Sequence, residues 1–168
     1  MVPDIDLQLQ AVIKALTDTV MPAIDPANKM AVEQAGLAVA TLSMARNRLP
    51  LVRRLARHGL QMAIAMAEEL VAAIPTAAAG LAAPLAAGRE ALQDPAHDTA
   101  AIDAVQRALN DAIGALIDDS SNAPHIAAIE AIIIRRGKLA TDLGRAWTMP
   151  SGFEPNPASV PTIESLLS

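Results

Sequence analysis

Apolar residues recur at spacings of three and four along most of the chain, the period of helices that each bury one stripe. Ile5, Leu9, Val12, Leu16 and Val20 form the first stripe, predicting a helix from Asp4 as N-cap to Met21, where Pro22 ends it. Asp25 followed by Pro26 sets a capping side chain before a proline at the first helical position. A second helix then runs through Met30, Leu37 and Met44 to Leu49, and Pro50 marks a corner. The third, 51–73, carries Val52, Leu55, Met62, Met66 and Leu70, with Leu60, Ile64, Val71 and Ile74 widening the stripe and Arg54, Arg57, Gln61 and Glu68 opposite. Over 75–93, two prolines and two glycines break an alanine-rich run, which predicts one or two short helices ending near Gln93.

After a turn at Asp94, Pro95 and Asp98, Ile102, Val105, Leu109, Ile113 and Leu116 give the cleanest stripe and a helix over 99–117. A last long helix, 124–147, follows the DDSSNAP loop, with Ser121 or Asn122 as cap and Ile126, Ile129, Ile133, Ala140, Leu143 and Trp147 inward. Pro150, Pro155, Pro157 and Pro161 make 148–168 an extended tail, closing on one helical turn at 162–167. The expected architecture is all-α: an up-and-down bundle of five long helices and one short broken helix, with 1–147 as a single domain and 148–168 as its tail. The second, third, fifth and sixth helices are expected to form the core, with the first helix and the 75–93 segment alongside.

Composition strengthens the helical reading, because 37 of 168 residues are alanine while the chain has one Trp, one Phe and no Tyr. A net charge of −5 has the wrong sign for a polyanion binder, so nucleic acid is not an expected partner. The absence of cysteine excludes disulfides, thiolate metal sites and a cysteine nucleophile. MVPDIDLQLQ lacks the basic and then apolar run of a leader, so the expected location is cytoplasmic. Residues 70–88 are 19 positions without charge, long enough to imitate a membrane span. Pro75, Pro84, Gly80, Gly88, the preceding Glu68 and Glu69, and nine weakly hydrophobic alanines argue against one, so no membrane partner is expected.

Catalytic signatures fail on spacing. A carboxylate-bridged di-iron bundle needs Glu-x-x-His on two helices, whereas Glu33, Glu68, Glu69, Glu90 and Glu130 are followed three residues later by Gly36, Val71, Ala72, Gln93 and Ile133. No H-E-x-x-H, Walker loop, G-x-G-x-x-G or G-x-S-x-G string occurs. No catalytic residue and no cofactor is therefore assigned. His58 falls on the polar face of the third helix, and His97 lies in the turn with Asp94 and Asp98. His125, with Asp118 and Asp119 across the loop, is the better of two incomplete metal sets. The two sets cannot merge, since 20 residues of helix between Asp98 and Asp118 span about 30 Å.

Arg46, Arg48, Arg53, Arg54 and Arg57 cluster around the Pro50 corner, where guanidiniums could grip a carboxylate or phosphate or simply complement a helix C-terminus. Glu130 sits among Ile126, Ile133 and Ile134. A buried Glu130 would need a cationic partner, for which Arg107 and the arginines of the third helix are available, or would mark a ligand site; at an edge it is an ordinary boundary residue. The paired, structural case is the one expected.

The string ALTDTVMPAIDPANKMAVEQAGLAVATLSMARNRLP, residues 15–50, resembles the N-terminal half of a family of small bacterial all-helical proteins. The shared pattern is an amphipathic helix ending in Val-x-Pro-Ala, here Val20 to Ala23, and a second helix closing on Arg and Leu, here Arg48 and Leu49. Some of these proteins accompany acyl-CoA dehydrogenase-like and aminoglycoside-phosphotransferase-like proteins, which implies an accessory role; no functional residue carries over. The leading expectation is a non-catalytic bundle that associates with itself as a homo-oligomer or with a partner protein, because Ile126, Ile129, Ile132, Ile133 and Ile134 exceed what one core face needs. The alternative is a small-molecule binder, with an apolar or acyl ligand lined by Met30, Met44, Met62 and Met66, its anionic end held by the arginine corner, and Glu130 as a further candidate ligand-site residue. An enzyme is the least supported reading.

Overall fold

The computed structural model describes residues 4–119, 125–152 and 154–168, and these form an all-α protein with no strand among them. In chain order the helices are α1 (Ile5–Ala15), α2 (Met21–Ala23), α3 (Lys29–Arg48), α4 (Val52–Ala73), α5 (Ala82–Gln93), α6 (Thr99–Asp118), α7 (Ile126–Thr148) and α8 (Ile163–Leu166). The chain divides into two compact units, one of residues up to Leu51 with Trp147–Pro157, the other Val52–Ala146 with Ala158–Ser168.

In the first unit α1 and α3 pack together. Asp4 caps α1 as its sequence position predicts, accepting from Asp6 N at 3.1 Å. A π-helical turn, Leu16–Val20, joins α1 to α2 and explains a departure from the expected stripe. Such a turn adds a residue to the helical repeat, so Met21 rather than Val20 follows Leu16 on the less exposed side. Val20 is thereby left exposed, and Ile5 and Val12, which precede the turn, are exposed as well. Pro22 sits just beyond, where an ordinary α-turn would drive its ring into the carbonyl of residue 18. The second helix begins later than expected: Asp25 closes a turn by accepting from Ala27 N at 2.9 Å, and Asn28 is the N-cap, accepting from Ala31 N at 3.1 Å. No described residue of this unit is buried.

The second unit holds the core. Leu60 and Leu70 of α4, Leu81, Ile102 and Leu109 of α6, and Ile129 of α7 are fully buried, each contributing about 1.5–3 kcal/mol by leaving water. The expected four-helix core is corrected here: α3 supplies no buried residue, and the 75–93 segment supplies Ala78, Leu81, Leu85 and Ala91. The reason lies in the distribution of side chains. Apolar residues of α3 are scattered around the helix, whereas Leu81 and Leu85 fall one turn apart on the α5 side facing α4 and α6. The two prolines do not prevent this, because Pro75 and Pro84 fall in the turn after α4 and the first turn of α5.

Alanine sets how closely α4 approaches its neighbours. Its buried face is Ala56, Gly59, Leu60, Ala63, Ile64, Ala67 and Leu70, while Met62 and Met66 are only partly buried and Val52 is exposed. At Gly88 of α5 an added Cβ would come within 3.1 Å of Ile64 Cγ1, so glycine permits the close crossing of α4 and α5. On α7 the buried side chains are Ile129, Ile132, Asp142, Leu143 and Ala146, whereas Ile126 and Ala140, expected inward, are exposed. The expected caps Ser121 and Asn122 lie outside the described residues. Far from running free, the C-terminal segment buries Val160, Ile163 and Leu167, and Thr162 caps α8 by accepting from Ser165 N at 3.3 Å. The uncharged run 70–88 is divided between α4, a 3-10 turn at Ala77–Leu81 and α5, and no helix among the described residues is long and apolar enough to cross a membrane.

Candidate functional site

Each guanidinium of the arginine cluster has its own partner. In the first unit, Arg46 donates from Nε and Nη2 to the two oxygens of Asp6, at 2.7 and 3.0 Å, fastening the end of α3 to the start of α1. That bond holds the Asp6 carboxyl below its usual range and raises Arg46. Arg48 donates to Trp147 O at 3.0 Å, its guanidinium 5.5 Å from the indole centroid.

In the second unit, Arg53 donates to Pro95 O at 2.9 Å, Arg54 to Leu167 O at 2.8 Å and Arg57 to Leu92 O at 2.6 Å. Leu92 O belongs to the last turn of α5, whose carbonyls have no partner within the helix. The arginines thus serve as ties to distant backbone, and an anion at any of them would compete with the contact already made.

Glu130 is exposed and has no ion pair among the described residues, which corrects the expectation of a buried, paired carboxylate. Ile126 and Ile134, one turn to either side, are exposed with it, because Ile129 and Ile132 fill the inward face. Asp118, Asp119 and His125 are also exposed, and part of the loop between them lies outside the described residues. His97 Nδ1 lies 3.0 Å from Asp94 Oδ2, and Asp98 caps α6 by accepting from Ala101 N at 2.8 Å. No three His, Asp or Glu side chains gather into a metal-binding group among the described residues.

Two charged clusters in the second unit escape the sequence reading. Glu69 on α4 accepts from both Arg135 and Arg136 on α7, and the two guanidiniums hold its carboxyl below the usual range. Asp142 is the buried acid of α7, accepting from Lys138 Nζ at 2.6 Å with Arg145 Nη1 3.8 Å away. The only advance signals are an acidic pair at Glu68 and Glu69, a basic pair at Arg135 and Arg136, and the four-residue spacing of Lys138 and Asp142.

Three cavities of this unit share Met62. One of about 300 Å³ is lined by Val52, Leu55, Gly59, Thr99, Asp103, Gln106 and Leu143; a smaller one, about 120 Å³, by Met66, Gln106, Asn110, Arg136 and Ala140. The third, about 350 Å³, is lined by His58, Gln61, Ala65, Arg136, Leu139, Ser165 and Leu166. Arg136 Nε is buried without a hydrogen-bond partner among the described residues.

The fold and these clusters define the class, an all-α helical protein. Comparison with known protein families, curated proteins and solved structures finds no match.

Proposed function

We propose that this is a non-catalytic helical-bundle protein that acts by association, with itself or as an accessory to a partner enzyme. One observation carries the reading: the first unit buries no described residue while Ile5, Leu7, Val12, Met30 and Leu37 are exposed. Ile5 and Val12 on α1, and Met30 and Leu37 on α3, are each seven residues apart, so each pair lies along one side of its helix. Exposed apolar side chains in such runs are what interaction surfaces supply. On α7, Ile134 at 74% exposure adds to the surplus. The resemblance of residues 15–50 to small bacterial helical proteins, some of which accompany enzyme-like proteins, supports the accessory form. Sedimentation velocity over a range of concentrations tests self-association. Wild-type protein should sediment faster as concentration rises, and Met30→Glu with Leu37→Glu should remove that dependence; a strict monomer eliminates the self-associating form and leaves the foreign partner.

A second reading, ligand binding within the bundle, is supported by Met62, whose flexible side chain borders three cavities of the second unit. The largest of them, about 350 Å³, falls at the small end of ligand pockets. A ligand retained through purification and detected by native mass spectrometry would support it; ligand-free protein that no acyl compound stabilises against heat would refute it.

A further inference from the structure

Glu69 answers two guanidiniums with one carboxylate, so the cluster it forms with Arg135 and Arg136 keeps one positive charge uncompensated. Arg136 gives Glu69 an Nη2 hydrogen, while its Nε, on the same edge of the guanidinium, is shut away from water with no acceptor among the described residues. A carboxylate can take both donors of that edge, as Asp6 does from Arg46. The Arg136 edge is therefore half used, and a buried N–H left without an acceptor is unfavourable.

Arg136 borders the cavity of about 350 Å³, whose apolar wall is Met62, Ala65, Leu139 and Leu166. No carboxylate lines it, and its one ring is the imidazole of His58. The charge selects an anion, and the single spare positive charge selects a monoanion over a phosphate ester. The methionine and leucine side chains of that apolar wall favour an aliphatic chain.

Building on the ligand-binding reading, we infer that this cavity takes an aliphatic monocarboxylate, its carboxylate paired with the spare positive charge at Arg136 and its chain lying along Met62, Leu139 and Leu166. The anionic end thus belongs at Arg136, which borders the apolar wall, rather than at the Pro50 corner, whose guanidiniums tie Asp6 and distant backbone carbonyls.

The test is a titration of the full chain, carrying ¹³C-methyl methionine, with octanoate and separately with 1-octanol. Octanoate should shift the Met62 methyl saturably, and the alcohol, which lacks the charge, should bind about tenfold more weakly or worse. Arg136→Gln should erase that preference. Leu139→Glu, at an exposed side chain, removes part of the apolar wall and brings a negative charge to it, so it should weaken both ligands, octanoate about tenfold more than the alcohol. Equal binding of the acid and the alcohol by wild-type protein overturns the carboxylate anchor and leaves the ligand-binding reading standing. Saturation by neither ligand overturns both. Should Arg136→Gln not fold, Leu139→Glu decides alone, and an unchanged ratio of acid to alcohol affinity in it refutes the inference, as does a response at Met30 or Met44 in place of Met62.

Discussion

The two units use the same helical period to different ends. Ile102, Leu109, Ile113 and Leu116 on α6 form a stripe that is buried along its whole length, whereas Ile5, Val12 and Val20 on the first helix are exposed despite an equally regular pattern. The second unit is held by apolar packing on the faces of α4, α5, α6 and α7. Polar ties are the visible fastenings of the first: Asp6 with Arg46, Arg48 with Trp147, and the caps at Asp4 and Asn28. Periodicity reveals that a helix has an apolar face; what covers that face depends on residues elsewhere in the chain. Where nothing covers it, the face is available to another molecule, and the association reading rests on that.

Matched substitutions would sharpen the contrast. Leu109→Ala, at a fully buried side chain of α6, should cost about 2–5 kcal/mol in chemical denaturation. Leu37→Ala, at an exposed side chain of α3, should change stability by no more than about 0.5 kcal/mol; a loss as large as at Leu109 would show that the first unit hides a core of its own. Glycines give the next pair. Gly88→Val must push against Ile64 and should cost about 1–3 kcal/mol. At Gly36 in α3 an added Cβ meets nothing within 4 Å, so Gly36→Ala should raise stability by about 0.5–1 kcal/mol through helix propensity.

Acid should act on both units through different carboxylates. Asp6 and Glu69 are held below their ordinary values, so each stabilises the folded state in full above the unfolded carboxylate range, about pH 3.9–4.3, and loses that contribution as pH falls through its lower folded value. Stability from these groups should be level from neutrality to about pH 5 and then decline. Glu69→Gln should flatten the acid limb of global unfolding, while Asp6→Asn should chiefly speed hydrogen exchange where α1 meets α3. Smallest of all is Glu130→Leu, expected to shift the denaturation midpoint by less than about 0.5 kcal/mol, because the side chain is exposed.

The helices themselves were largely legible, since prolines and capping residues punctuate them and α6 carries bulky residues at every inward position. Less legible was which face each helix buries. On α4, Ala56, Ala63 and Ala67 carry the core, yet alanine is common on every side of these helices and so gives a hydropathy pattern little phase. On α7, five isoleucines over 126–134 allow more than one inward face, and packing selects Ile129 and Ile132. The π-turn at Leu16–Val20 shifts a register that a constant period would have kept. Of the site residues, the arginine cluster could be read as charge but not as contacts, since Arg54 meets a carbonyl 113 positions away. Glu69 and Arg136 are 67 apart, and no local spacing links an acidic pair on one helix to a basic pair on another.

Hydrogen exchange measured residue by residue at two protein concentrations tests the contrast most directly. Amides of Leu109 and Ile113 in α6 should exchange only through global unfolding, at a rate independent of concentration. Amides of Ala35 to Val39 in α3 should open more readily in dilute protein and become protected as concentration rises and the apolar faces of the first unit are covered. Equal protection of α3 and α6 in dilute protein, unchanged on concentration, would contradict both the uneven core and the self-association built on it.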